Sequence, residues 1–289
     1  MKNTVLICPK NDEESLLIVA IAEALGIPTV LSKQPHGARL DREKKLVERI
    51  RKALSAANAS PAMGRMGGDK RIEVAIVEIP GPAAEEDLRK QGFKVKIIDH
   101  HRYDDVSRMK KKSSLEQFLD FFKIDDRVLS QLGFPPKMVR AVGAIDRGFI
   151  WELENEPLTK AERKLALKFY QVLAHQARGN RQEKEEKAAR TAWDAREKVR
   201  GVWVVRSKDD RISVRDALSY IVAEEIGKPT TLVIFQGKRR VYAQETPRAK
   251  KLYEKFGGFT FGRDRCWGIL AEGNGVLPSL DEILEIIVK

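Results

Sequence analysis

Short apolar runs alternate with stretches of helical period through the first half of the chain. Residues 4–8, Thr-Val-Leu-Ile-Cys, read as a short buried strand, and residues 9–12 as the turn after it. From Glu13 or Glu14, apolar Leu16, Leu17, Ala20, Ile21, Ala24 and Leu25 recur at helical spacing, with Gly26 as the C-terminal cap. A strand resumes at 28–31. Leu46, Ile50 and Leu54 then mark a basic amphipathic helix beginning near Asp41. Residues 60–69, with Pro, Met and Gly, read as a loop. A strand over 72–79 is stopped by Pro80 and Pro82, a short helix follows at 83–91, and a strand at 95–98. Strand, helix and strand repeated in this order predict an α/β fold: a doubly wound parallel sheet with right-handed crossovers.

Beyond this point the period turns helical, at 115–122, 128–132 and 138–145, the last breaking at Asp146-Arg147-Gly148. A long helix-rich stretch from 158 to 200 is interrupted at Gly179-Asn180. Its second half, 181–200, is dense in both charges and poor in large apolar residues, which predicts a solvated connector. Residues 202–205 open a second, smaller α/β unit. It holds a helix at 213–226 capped by Gly227, strands 230–235 and 239–243 paired across Gly237-Lys238, and a basic helix at 247–256. A glycine- and aromatic-rich stretch at 257–268 and a closing helix from Ser279 complete it. The expected organisation is an α/β domain at 1–155, a helical linker at 156–200 and a C-terminal domain at 201–289.

Charge changes the picture more than size does. Lys and Arg number 54 against 42 Asp and Glu, a formal net charge of +12, which favours polyanionic partners such as nucleic acid, nucleotides or polyphosphate. Cys8 and Cys266 are too few and too far apart for a disulfide framework, and no signal-peptide pattern or membrane-length apolar run is present. These features predict a soluble, cytoplasmic protein without membrane partners.

The candidate chemistry centres on residues 96–103, Lys-Ile-Ile-Asp-His-His-Arg-Tyr. Asp99, His100 and His101 end an apolar strand, and two of the chain's 4 histidines are spent there. In open parallel sheets that edge is where ligands bind, and Cys8, Asp12, Glu14 and Glu78 fall at the same edge. Asp146 would have to return from the following helices. Carboxylates and imidazoles grouped in this way suit a two-metal site that activates a water, and their mixed oxygen and nitrogen donors favour Mn²⁺ or a similar ion over Ca²⁺. Cys8 also reads as a small core hydrophobe, and Asp12 and Glu14 as acids at a helix N-terminus. His36, in a turn, and His175, in a helix, carry no comparable case.

The strand ending Ile-Ile-Asp-His-His-Arg, an upstream strand ending in an acid, and the downstream Ala-Ile-Asp-Arg-Gly resemble the DHH phosphoesterase superfamily. That group includes RecJ-like exonucleases, nanoRNases, cyclic dinucleotide phosphodiesterases, exopolyphosphatases and family II inorganic pyrophosphatases. The resemblance implies that Cys8, Asp12 and Glu78 hold one ion, and that Glu14, Glu78, His100 and Asp146 hold the other. Asp99 and His101 would orient the ligands and position the leaving group or phosphate. The chain departs from the family pattern at Cys8, where the family has His, and at Glu14 and Glu78, where it has Asp. The C-terminal unit resembles the DHH-associated domain: Gly257 and Gly258 match its glycine run, with Phe259 in place of the usual His. Arg263, Arg265 and Arg248 would contact substrate phosphate, and Phe259, Phe261 and Trp267 would stack a base; an ordinary turn with core aromatics is the alternative.

The implied function is a Mn²⁺-dependent phosphoesterase, with Mg²⁺ a further possibility. It would hydrolyse short oligonucleotides, nucleotides or related esters in an interdomain cleft, and a homodimer or a protein partner fits the same sequence. The three substitutions motivate a rival: a catalytically degenerate protein of the same fold that binds nucleic acid or a protein partner. A single-ion hydrolase follows if Cys8 is merely packed.

Overall fold

The computed structural model describes residues 3–35, 37–58, 71–103, 105–271 and 276–289; the expected loop at 60–69 and His36 lie outside these. The chain divides into two compact units, Met1–Gly143 with Lys160–Ala177, and Ala144–Thr159 with Arg178–Lys289. Among the described residues no helix is long and apolar enough to cross a membrane.

In the first unit, β1 (Thr4–Pro9), α1 (Glu13–Ala24), β2 (Thr29–Ser32), α2 (Leu46–Asn58), β3 (Glu73–Val77), α3 (Pro82–Lys90) and β4 (Lys94–Ile98) follow in turn. Next come α4 (Ser114–Phe122), α5 (Asp126–Gln131), most of α6 (Pro136–Gly148) and most of α7 (Lys160–Arg178). The four strands form a parallel sheet in the order β2-β1-β3-β4, with Ile7 beside Ile76 and Ile76 beside Ile97.

Alternation along each strand feeds two cores. Leu6, Cys8, Ala75, Val77 and Ile98 face one side and pack with α1, α4, α5 and α6 residues such as Leu17, Phe118, Leu129 and Val142. Val5, Ile7, Val74 and Ile76 face the other side and pack with Ile50 and Leu54 of α2 and Leu88 of α3. Burial on both faces is why these strands read as unbroken apolar runs. The expected doubly wound parallel sheet is the observed one. Its strand order reverses between β1 and β3, and the crevice at their C-terminal ends is the place such a sheet offers a ligand.

The second unit carries α8 (Asn180–Asp194), β5 (Glu197–Val199), β6 (Val202–Ser207), α9 (Arg215–Glu225), β7 (Leu232–Gln236) and β8 (Arg240–Gln244). It continues with α10 (Ala249–Phe256), β9 (Phe259–Phe261), β10 (Cys266–Leu270) and α11 (Leu280–Ile287). Its six strands run in the order β5-β6-β7-β8-β10-β9; β6 and β7 pair parallel and the remaining neighbours antiparallel.

Three sequence expectations are corrected. The helix expected from Asp41 starts at Leu46, because Leu40–Arg42 form a separate 3-10 turn and Lys45 takes a left-handed conformation with φ 53°. Helix α6 does not break at Asp146 but runs through Gly148. The stretch at 181–200 is not simply a solvated connector: α8 buries Ala189, Ala192 and Trp193 together with Gln182 and Glu185, and residues 197–199 add an edge strand. Glu185 tolerates burial because Arg181 lies 2.9 Å from one carboxylate oxygen and Arg178 3.5 Å from the other.

Candidate metal centre

The centre is assembled from turns that follow three strands. After β1, Asp12 caps α1: its Oδ1 accepts from the Ser15 amide at 2.8 Å, and Ser15 Oγ accepts from the Asp12 amide at 3.3 Å. This cap fixes the first turn of α1, where Glu14 lies 1 % exposed. Glu14 Oε1 accepts from the Leu115 amide at 2.8 Å, so the carboxylate meets the positive N-terminal end of α4. After β3, the chain turns at Glu78, whose φ of 51° is left-handed. A non-glycine residue pays about 1–2 kcal/mol for that conformation. The Glu78 amide nevertheless pairs with the Ile98 carbonyl at 3.2 Å, which holds the turn against the end of β4.

After β4 come Asp99, His100 and His101. Asp99 is buried, and its Oδ1 accepts from the His101 amide at 3.0 Å and lies 3.1 Å from His101 Nδ1. Tyr103 Oη donates to Asp99 Oδ2 at 3.0 Å. Burial pushes the Tyr103 phenol well up, and the charges of Asp99 and Glu78 push the same way, so the hydroxyl stays protonated and remains a donor. With Asp99 accepting from Nδ1–H, the His101 lone pair is left on Nε2.

His100 Nε2 lies 3.7 Å from Glu78 Oε1 and 3.9 Å from Glu14 Oε2, while His101 Nδ1 lies 3.6 Å from Glu78 Oε1. These separations exceed a hydrogen bond. The two separations from His100 Nε2 suit ligands of one ion: two atoms each about 2.1 Å from a shared cation stand about 3.4–3.9 Å apart for angles of about 109–135°. Glu78, His100 and His101 form one group whose ligand atoms all lie within 4.8 Å of one another, and those of Glu14, Glu78 and His100 meet the same limit. Two carboxylates and one or two imidazoles fit Mn²⁺, Fe²⁺ or Zn²⁺ better than Ca²⁺, which prefers an all-oxygen shell.

Cys8 and Asp12 each make a local bond at the start of α1. Cys8 is fully buried, and its thiol points to the Ser15 carbonyl, 3.9 Å away. Burial pushes that thiol well up, and nearby Glu78, Asp12 and Glu14 add to the effect. Asp12 spends Oδ1 on its cap. Asp146 lies in the last turn of α6, within the second unit.

In the second unit the glycine pair has a packing reason. Gly258, at φ 85°, faces Gly268 so closely that a Cβ would stand 2.2 Å from the Gly268 carbonyl oxygen. The Gly257 carbonyl accepts from Trp267 Nε1 at 2.8 Å. Trp267 is fully buried, which removes it from the residues expected to stack a base; Phe259 and Phe261 keep partial exposure, 5.9 Å apart between ring centroids. Arg263 Nη1 lies 2.6 Å from Glu152 Oε1, and Arg265 Nη2 donates to the Gly148 carbonyl at 3.1 Å. Arg248 precedes α10, its amide bonded to Thr246 Oγ1 at 3.2 Å. Sequence reasoning missed Tyr103 and Gln117, which donates to the Asp99 carbonyl at 3.1 Å. Tyr103 lies four residues past Asp99 in the same polar turn, and that spacing was the available signal.

No family model matches the sequence, and no curated protein does. Solved structures do match along nearly the whole chain. Exonuclease RecJ bound to manganese shares 15% identity, with 93% of this chain and 86% of that chain covered and a TM-score of 0.37. An uncharacterized protein from Helicobacter pylori shares 9%, covering 99% and 98% at a TM-score of 0.35. The pGpG-specific phosphodiesterase PggH from Vibrio cholerae shares 8%, covering 99% and 97% at a TM-score of 0.43. At such identities the chemistry must be read from this chain's own side chains, and those supply a carboxylate–imidazole cluster at the switch point of a parallel sheet.

Proposed function

We propose that the chain is a divalent-metal-dependent phosphoesterase of the DHH type acting on short oligonucleotides, nucleotides or related phosphate esters. The observation that carries this reading is the placing of Glu78 and Glu14 carboxylate oxygens 3.7 and 3.9 Å from His100 Nε2 at the ends of parallel strands. Glu78 and His100 would hold the ion, with Glu14 and, by the resemblance, Asp146 completing the shell. A bound divalent cation supplies a water of lowered pKa and neutralises charge on a phosphoryl oxygen.

The chain's own groups do the rest. Asp99 fixes the His101 ring through Nδ1, and Tyr103 holds Asp99, so His101 Nε2 faces outward as a hydrogen-bond partner for a phosphate or leaving-group oxygen. Arg263 and Arg265 are the candidate phosphate contacts of the second unit, and Arg263 is 48 % exposed despite its pairing with Glu152. Cys8 Sγ and Asp12 Oδ1 each bond within the start of α1, and we read the remaining donors as the shell of one ion.

Purified protein loaded with Mn²⁺ is incubated with labelled dinucleotides and a chromogenic phosphodiester. Turnover that His100→Ala abolishes is expected, with close to one Mn per chain by anomalous scattering at the manganese edge. Absent turnover, or equal turnover in His100→Ala, refutes the enzymatic reading and leaves the rival, a binding protein of this fold.

A further inference from the structure

Beside the metal centre, at the outer edge of the parallel sheet, lie Lys96 and Lys110. Lys110 Nζ donates to Gln117 Oε1 at 2.7 Å, while Gln117 Nε2 donates to the Asp99 carbonyl at 3.1 Å and to the Lys112 carbonyl at 3.0 Å. One amide side chain therefore ties the Lys110 ammonium to the backbone of the Asp-His-His turn. Lys96 projects from edge strand β4, its ammonium 5.7 Å from the centre of the Phe121 ring.

The two charges feel each other. Partial burial lowers the Lys110 pKa first, Lys96 and Arg108 lower it further, and Asp99 opposes them. Two flanking lysines are neutralised: Lys94 lies 2.8 Å from Glu73 and Lys112 2.5 Å from Asp120. Among the described residues, no carboxylate stands within ion-pair distance of Lys96 or Lys110. Met109, 64 % exposed, adds apolar surface next to them. Like charges held together beside a metal centre are relieved by an anion.

We propose that Lys96 and Lys110 form a phosphate-backbone subsite for single-stranded nucleic acid, so that the chain takes a strand extending past the reacting phosphate. The inference rests on the phosphoesterase reading for the identity of the ligand. Its test measures binding alone.

Anisotropy of a labelled pentanucleotide RNA and of a labelled mononucleotide is followed in EDTA, where no turnover occurs, across a series of KCl concentrations. Each lost single-strand phosphate contact flattens the slope of log K against log salt by about 0.7, equivalent to about fivefold in affinity at roughly 0.1 M salt. Lys96→Gln combined with Lys110→Gln is expected to flatten the pentanucleotide slope by about 1.4 and leave the mononucleotide unaffected. Lys52→Gln, an exposed charge on α2, is expected to change neither. An unchanged pentanucleotide slope overturns the proposal. So does equal loss for the mononucleotide, which would assign both lysines to the reacting phosphate, or lysine-dependent retention on phosphatidylserine vesicles in place of RNA. Lysine-dependent RNA binding with no hydrolysis under Mn²⁺ would remove the enzymatic reading and keep the subsite.

Discussion

Replacing Glu78 by Gln should reverse its effect on stability according to whether metal is present. The side chain keeps its shape and its left-handed backbone, so strain is unchanged and the perturbation is one charge. The ligand oxygens of Glu14 and Glu78 lie within 4.8 Å of one another. At an effective dielectric of about 20, two carboxylates at that distance repel by about 3.5 kcal/mol, and a nearby imidazole offsets part of this. The metal-free Glu78→Gln protein should therefore be more stable than wild type by about 1–3 kcal/mol. Saturating Mn²⁺ should invert the order, because a ligand at about 100 times its Kd stabilises wild type by about 2.7 kcal/mol and the variant has lost a ligand. Urea unfolding of both proteins, with EDTA and with excess Mn²⁺, reads all four values. A variant destabilised in EDTA, or one that gains as much from Mn²⁺ as wild type, would refute the assignment of Glu78 as a ligand held against its neighbours' charge.

Two further outcomes test other parts of the molecule. Gly258→Ala places a Cβ 2.2 Å from the Gly268 carbonyl oxygen at φ 85°. It should cost about 2–4 kcal/mol in denaturant unfolding; unaltered stability with weakened substrate binding would restore the anion-cradle reading of the glycine pair. Burial alone would raise the Glu43 carboxyl, but hydrogen bonds from Ser32, Gln34 and Arg49 pull it below the usual range. Its contribution to stability is present above the unfolded value near 4.5 and is lost as pH falls through the lower folded value. Arg49→Gln should therefore lose stability at neutral pH and converge on wild type in acid, as followed by urea unfolding from about pH 7 to about pH 3; a constant gap would show that Arg49 acts by packing.

The first unit was legible because β1 and β3 are buried on both faces and so appear as unbroken apolar runs, and because Glu78 stands just past β3 and Asp99 and His100 just past the Ile97-Ile98 end of β4. What escaped reading was made by groups that apolar spacing does not register. Helix α8 has Trp193 as its one large apolar anchor, and it buries Glu185 through arginines at 178 and 181 that look like surface charge. Gly257 and Gly258 suggested an anion cradle, but the need for glycine comes from the close approach of β10, a contact between elements that no local pattern encodes. Cys8 and Asp12 occupy the offsets of a ligand motif, and each also makes a local bond at the start of α1 that apolar spacing does not announce.

Glu14 holds the Leu115 amide across 101 residues of chain while its other oxygen faces His100. A contact of such sequence separation closes only after the intervening strands have paired, since its loop-closure cost must be met first. The donor set is therefore expected to form late in folding. A cation captured there should leave the refolding rate where it was and slow unfolding instead, acting as a bolt on the native state after the sheet is already shut.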